Sequence, residues 1–121
     1  MNSETTLTPK QVAEFFSTGN FNHTYQFLDK NIEWNIVGDK VLVGKKAVMD
    51  ECRLTSNYFE SVTTNFKILN VIQEENYVVI NGTAEFIRDN KQLSYIAASD
   101  IYSFNDQNML QRIDSYCIKI Q

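Results

Sequence analysis

From about residue 62 to residue 119 the apolar pattern of this chain has a period of two, and that leaves few folds open. Before that point apolar residues recur at helical spacing. Beyond it they fall into four extended runs, about 62–73, 77–88, 91–104 and 109–119. Short polar segments join the runs: Glu74-Glu75-Asn76, Asp89-Asn90 and Asn105-Asp106-Gln107-Asn108. Long runs with such joins predict a meander of antiparallel hairpins. Strands of this length twist and bend, and Gly82 is the expected bend point.

The first 60 residues predict three helices and a short hairpin. Thr8 is a good N-cap, Pro9 suits the first helical position, and Gln11 completes a capping box. Leu7 and Val12 form a hydrophobic staple, Phe15 and Phe16 continue the apolar stripe, and Gly19 ends the helix. Asn20 or Asn22 caps a short second helix that turns Tyr25, Leu28 and Phe27 inward. Asn31 to Val37 reads as a strand with Ile32, Trp34 and Ile36 on one face, and Val41-Leu42-Val43 as a short return strand. A third helix runs from Gly44 to about Asn57, with Val48, Cys52, Thr55 and Phe59 on one face. Helices first and antiparallel strands after define an α+β class: three N-terminal helices packed on a strongly curved, mostly antiparallel sheet. The 121 residues are read as one domain, 1–121, with residues 1–7 as a disordered tail.

Charge and cysteine usage narrow the function classes. A net charge of −4, with Lys45-Lys46 as the sole adjacent basic pair, opposes nucleic-acid binding. Cys52 and Cys117 are read as reduced thiols, and a single His23 cannot anchor a zinc site, so no metal or other cofactor is expected. The N-terminus lacks the pattern of a signal peptide, and no stretch approaches a membrane span. A cytoplasmic location is expected.

The order of elements resembles the NTF2-like superfamily, and within it the small SnoaL-like and ketosteroid-isomerase-like proteins. The resemblance spans about Thr8 to Lys119. It is carried by Gly19-Asn20-Phe21-Asn22, by Ile32-Glu33-Trp34-Asn35-Ile36-Val37-Gly38, by Val43-Gly44-Lys45-Lys46-Ala47-Val48, and by Asp100-Ile101-Tyr102-Ser103-Phe104-Asn105-Asp106. It implies a conical barrel with a ligand cavity, often in a homodimer. The superfamily holds isomerases, cyclases, dehydratases, epoxide hydrolases and non-catalytic dimerisation or transport modules. By resemblance Asp100 falls on the isomerase's hydrogen-bond-donating aspartic acid, Asn35 replaces its catalytic Asp, and its helix-one tyrosine falls on Val12. Asn35 has no titratable carboxylate, so steroid-type isomerisation by the known arrangement is not expected.

Asp100 is the candidate that the residues themselves single out. Asp is depleted in strands and rarely buried without a partner, yet it stands within Tyr95–Phe104. On the last strand Leu110, Arg112, Asp114 and Tyr116 share a face by period two. If Phe104 pairs with Leu110, Asp100 faces Asp114 and Tyr102 faces Arg112. If Phe104 pairs with Met109, Asp100 faces Ile113. The first register is preferred because Phe104 and Leu110 match the inward positions of the family pattern. Asp100 is then a protonated donor or a base, tuned by Asp114 and Arg112. The competing reading is an Arg112-centred ion-pair network that fixes the hairpin.

Trp34, Asn35, Phe66, Ile68, Phe86, Tyr102 and Tyr116 are the candidate pocket residues, with Tyr58 and Phe59 at its mouth. Such walls suit a small, flat, mainly hydrophobic ligand with one or two oxygens, handled by acid–base groups of isomerase, dehydratase or hydrolase type. The alternative is a non-catalytic interaction module that dimerises through the open sheet face. Lys67, Leu69, Val71 and either Met109 or Ile113 would point outward there.

Overall fold

Residues 6–120 are described by a computed structural model. Helix α1 is Pro9–Ser17, and its N-terminus follows the expected chemistry. Thr8 Oγ1 accepts from the Gln11 amide at 3.2 Å, and Gln11 Oε1 accepts from the Thr8 amide at 2.9 Å. Residues 1–5 of the expected tail lie outside the described residues, whereas Leu7 packs against the core. Phe21–Phe27 is a 3-10 helix rather than an α-helix, and Asn20 makes no side-chain cap. It buries Phe21 and Thr24, while Leu28 is buried as the first residue of a strand.

The strands are β1 (Leu28–Ile36), β2 (Lys40–Val43), β3 (Thr63–Glu74), β4 (Tyr77–Arg88), β5 (Lys91–Phe104) and β6 (Leu110–Lys119). Helix α2 spans Lys45–Ser61, a turn longer than expected, and buries Val48 and Cys52. One six-stranded sheet has the order β2-β1-β6-β5-β4-β3. Only the β1–β6 pairing is parallel. The helices cover one face of this sheet, where Val12, Phe16, Val48 and Cys52 meet Ile32, Val78, Tyr102 and Ile113. No helix among the described residues is long and apolar enough to cross a membrane.

Extra residues interrupt the alternation, and each changes which side chains face inward. Between β3 and β4, Ile68 pairs with Gly82 and Asn70 with Asn81, so Leu69 is unpaired. The strand phase resets there. Val71, expected to point outward, lies opposite Ile80 and packs against the core, while Leu69 stays exposed. Of the other two residues expected outward in alternative registers, Ile113 is fully buried and Met109 is half-buried just before β6. Gly82 fits the bend because a Cβ there would collide with the Lys67 carbonyl. Replacing Gly82 with Ala should lower stability by about 1–3 kcal/mol, as overpacking does. Urea unfolding checks this, and a midpoint equal to the parent's would remove the close approach as the reason for glycine.

Candidate functional site

The inward side chains fall into rows that cross the central strands. At the closed end, Val78, Tyr102, Ile113 and Trp34 are paired in sequence across β4, β5, β6 and β1, and all four are buried. The next row is Ile80, Asp100, Ser115 and Ile36. The third is Gly82, Ala98 and Cys117. Small side chains in that row leave space that the helices do not fill. The result is a cavity of about 330 Å³ floored by these two outer rows. That volume sits at the low end of ligand pockets, which run to roughly 300–1,000 Å³. Phe16, Phe21, Trp34, Phe59, Phe66 and Phe86 supply its aromatic wall. Phe59 and Phe86 stack at 5.6 Å, and Phe66 meets Phe59 edge-on at 5.1 Å. Gly19 closes against this cluster with φ +82°, and its α-carbon has no room for a side chain beside the Phe59 ring, 3.0 Å from where a Cβ would sit.

Asp100 reaches the cavity from the floor, and every group bonded to it is neutral. Ser17 at the end of α1 donates to Asp100 Oδ2 at 2.8 Å. Tyr102, fully buried beneath, has its hydroxyl 2.6 Å from Ser17 Oγ and 3.4 Å from Asp100 Oδ2. The Trp34 indole N–H donates to Ser115 Oγ at 2.9 Å, which leaves the Ser115 hydrogen free for Asp100, its direct partner across the strands. Burial pushes the Asp100 carboxyl above its usual range, against the pull of the Ser115, Ser17 and Tyr102 hydrogen bonds. Burial and the adjacent Asp100 likewise push the Tyr102 phenol up.

Neither expected register places Asp100. Phe104 does pair with Leu110, but Ser103 pairs with Arg112, so Gln111 is an extra residue in β6. Past it the phase shifts by one. Tyr102 faces Ile113 rather than Arg112, and Asp100 faces Ser115 rather than Asp114. Arg112, Asp114 and Tyr116 therefore lie on the opposite face of the sheet. There Arg112 is held by Asp114 in two bonds, 3.0 and 2.9 Å, and by Glu33 at 2.9 Å. Asn35 donates to Asp114 Oδ1 at 3.2 Å on the same face. This is the ion-pair network of the competing reading, and it is separated from Asp100 by the sheet. Tyr116 is 45% exposed. Of the two rings expected at the mouth, Phe59 lines the cavity and Tyr58 sits 5.6 Å from Phe86 at the surface.

Trp34, Phe66, Ile68 and Phe86 line the cavity as the sequence predicts. Ser17, Ser115 and Cys117 were not expected there. Ser17 carried one available signal, since it lies one helical turn after the buried Ala13. For Ser115 and Cys117 the signal was the phase of Ile113, an isoleucine between two charged residues.

An α+β cone with helices over its concave face and a cavity on that face is the class this geometry defines. Comparison with solved structures makes it specific. An NTF2-like protein of unknown function from Cytophaga hutchinsonii matches with a TM-score of 0.80 and 34% identity, over 88% of this chain and 93% of its own. The chain belongs to the NTF2-like family. An LEH-like epoxide hydrolase from M. tuberculosis matches at TM-score 0.68 and 14% identity, over 91% of this chain and 82% of its own. A SnoaL-like protein from Agrobacterium tumefaciens with a provisional isomerase name matches at 0.67 and 10%, over 88% and 94%. At those identities the likeness extends to the fold alone. No protein-family model and no curated protein matches the chain.

The raised Asp100 pKa fixes the sign of a stability effect. A carboxyl that titrates higher folded than unfolded adds stability below its unfolded value, near 3.8, and loses it as pH rises through the folded value. Between about pH 4 and neutrality, wild-type stability should therefore fall relative to Asp100→Asn. Denaturant midpoints measured at several pH values check this. A pH-independent gap between the two proteins would contradict it.

Proposed function

We propose that this protein binds a small, mainly hydrophobic molecule in the cone cavity, with the ligand's one polar group against Asp100. The observation that carries this reading is a carboxyl group on the floor of an open, mainly apolar hollow with an aromatic wall. Unfilled apolar volume costs stability, and a carboxyl without a cation adds to that cost. Both costs are offset when an apolar molecule with a matching polar end occupies the space. The same carboxyl is the group through which acid–base chemistry of isomerase, dehydratase or hydrolase type would run, because its raised pKa suits proton transfer nearer neutrality. Arg112, Asp114, Asn35 and Tyr116 have no part in this reading, since they face away from the cavity.

The test is native mass spectrometry of the protein isolated from its own host, beside an Ala98→Leu variant. Ala98 stands at the centre of the small-residue row, so leucine fills the hollow. We expect a retained small molecule on the wild type and loss of it from the variant. The sole tryptophan, Trp34, gives a second readout, because it lines the cavity and a seated ligand should change its emission. A wild-type protein whose emission no apolar probe changes would overturn the reading.

A homodimer through the outer sheet face is a second reading, favoured by the exposure of Tyr116 at 45% and Ile118 at 68% on neighbouring outward positions of β6. Sedimentation velocity should then give twice the monomer mass, and Ile118→Asp should return it to monomer. A monomeric wild type would dismiss this reading without touching the first.

A further inference from the structure

We infer that the preferred ligand of the cavity is a hydrophobic amine, bound as its cation with the ammonium group against Asp100. The inference rests on the cavity-binding reading above and names its ligand class.

Hydrogen-bond direction is the first argument. The indole N–H of Trp34 can only donate, so Ser115 Oγ accepts from it and turns its own hydrogen toward Asp100. Ser17 donates to Oδ2 from the other side, and the enclosed Tyr102 hydroxyl donates into the same pair. All the protein donors converge on Asp100 as their terminal acceptor. That arrangement serves an ionised carboxylate. A protonated Asp100 offering its hydrogen to a ligand carbonyl would give up part of that acceptor capacity.

Charge is the second argument. The titratable groups facing Asp100 are Tyr102 from its own strand and Cys117 from β6, and neither supplies a positive charge. From α1 it meets Ser17, from β4 its partner is Ile80, and the nearest contribution of β1 is Trp34 through Ser115. Elsewhere the cavity lining carries Asp39 and Glu51, the latter paired with Lys40 at 3.3 Å. The basic residue of the lining is Lys67. Its neighbours Phe66 and Ile68 point into the cavity, so Lys67 presents backbone there and sends its side chain out. Among the residues that line the hollow there are thus carboxyl groups and no cationic side chain turned inward; Lys119, on the same face beyond Cys117, is exposed at the end of β6. An anionic ligand meets repulsion. A neutral one brings no counter-charge to the Asp100 carboxyl. A cation supplies the missing counter-charge.

The wall is the third argument. The lining rings Phe16, Phe21, Trp34, Phe59, Phe66 and Phe86 offer apolar surface for the hydrocarbon body of such an amine, and Trp34 reaches the Asp100–Ser115 pair through its N–H edge.

The experiment uses four near-isosteric probes: 2-naphthylmethylamine, 2-naphthalenemethanol, 2-acetonaphthone and 2-naphthoic acid. Each is titrated into the wild-type protein near neutral pH by Trp34 emission and by calorimetry. The expected result is amine binding at least about tenfold tighter than the alcohol or the ketone, with the acid weakest. In Asp100→Asn the amine should lose at least about tenfold more affinity than the alcohol does. If that variant does not fold, a pH series on the wild type serves instead: amine affinity falls as acidification protonates Asp100, and alcohol affinity does not. Alcohol or ketone binding as tight as the amine would overturn the amine assignment and leave the cavity reading standing. Failure of all four probes to bind would overturn both.

Discussion

One residue, Gln111, determines what the cavity contains. It is the unpaired residue between Leu110 and Arg112 where β6 meets β5. Leu110 and Ile113 both point into the core because of it, three positions apart instead of two. Everything beyond inherits that phase. Ser115 faces Asp100 and receives the Trp34 indole, Cys117 faces Ala98, and Arg112 with Asp114 turns to the outer face. Without the extra residue, two carboxylates and a guanidinium would share the floor. With it, the floor holds one carboxyl and a ring of hydroxyls.

That substitution of hydroxyls for a guanidinium has energetic consequences. Enclosing an ionised carboxylate costs several kcal/mol after relaxation. A hydrogen bond to a charged group returns about 1.5–3 kcal/mol. Ser17, Ser115 and Tyr102 offset part of that cost, which agrees with a carboxyl that burial pushes up in pKa against the pull of its donors. A neighbouring Arg would have fixed it as an anion, and an apolar pocket without donors would have fixed it as an acid.

The sequence made the architecture legible because its signals are local. The Thr8–Gln11 capping box, the change of period near residue 62 and the short polar joins each depend on neighbours a few positions apart, and the elements form where they indicate. Trp34, Phe66 and Phe86 were legible as wall residues by simple alternation. The site's polar partners were not. Ser17 and Asp100 are 83 positions apart, and nothing local marks a serine at a helix end as the ligand of a distant acid. The β6 phase was readable in principle. Strict alternation from Leu110 puts Arg112 and Asp114 inward and Ile113 outward, which is the wrong way round for burial. Weighting burial above unbroken period would have called for an extra residue in the strand.

The hollow itself is a consequence of missing side chains rather than of an unusual backbone path. Across three adjacent strands the inward positions are Gly82, Ala98 and Cys117, between a row of Ile80, Asp100 and Ser115 and a row that carries Ala84 and Ile96. Gly82 has two roles at once. The Lys67 carbonyl forbids a side chain there, and the same close approach, beside the unpaired Leu69, turns the β3–β4 ribbon over the floor. The bend and the space therefore come from one constraint. Ala98 extends the same space because its side chain is a single methyl group. A larger apolar residue there would bury more surface and raise stability at the expense of the space. Alanine at this position leaves the space of the row unfilled.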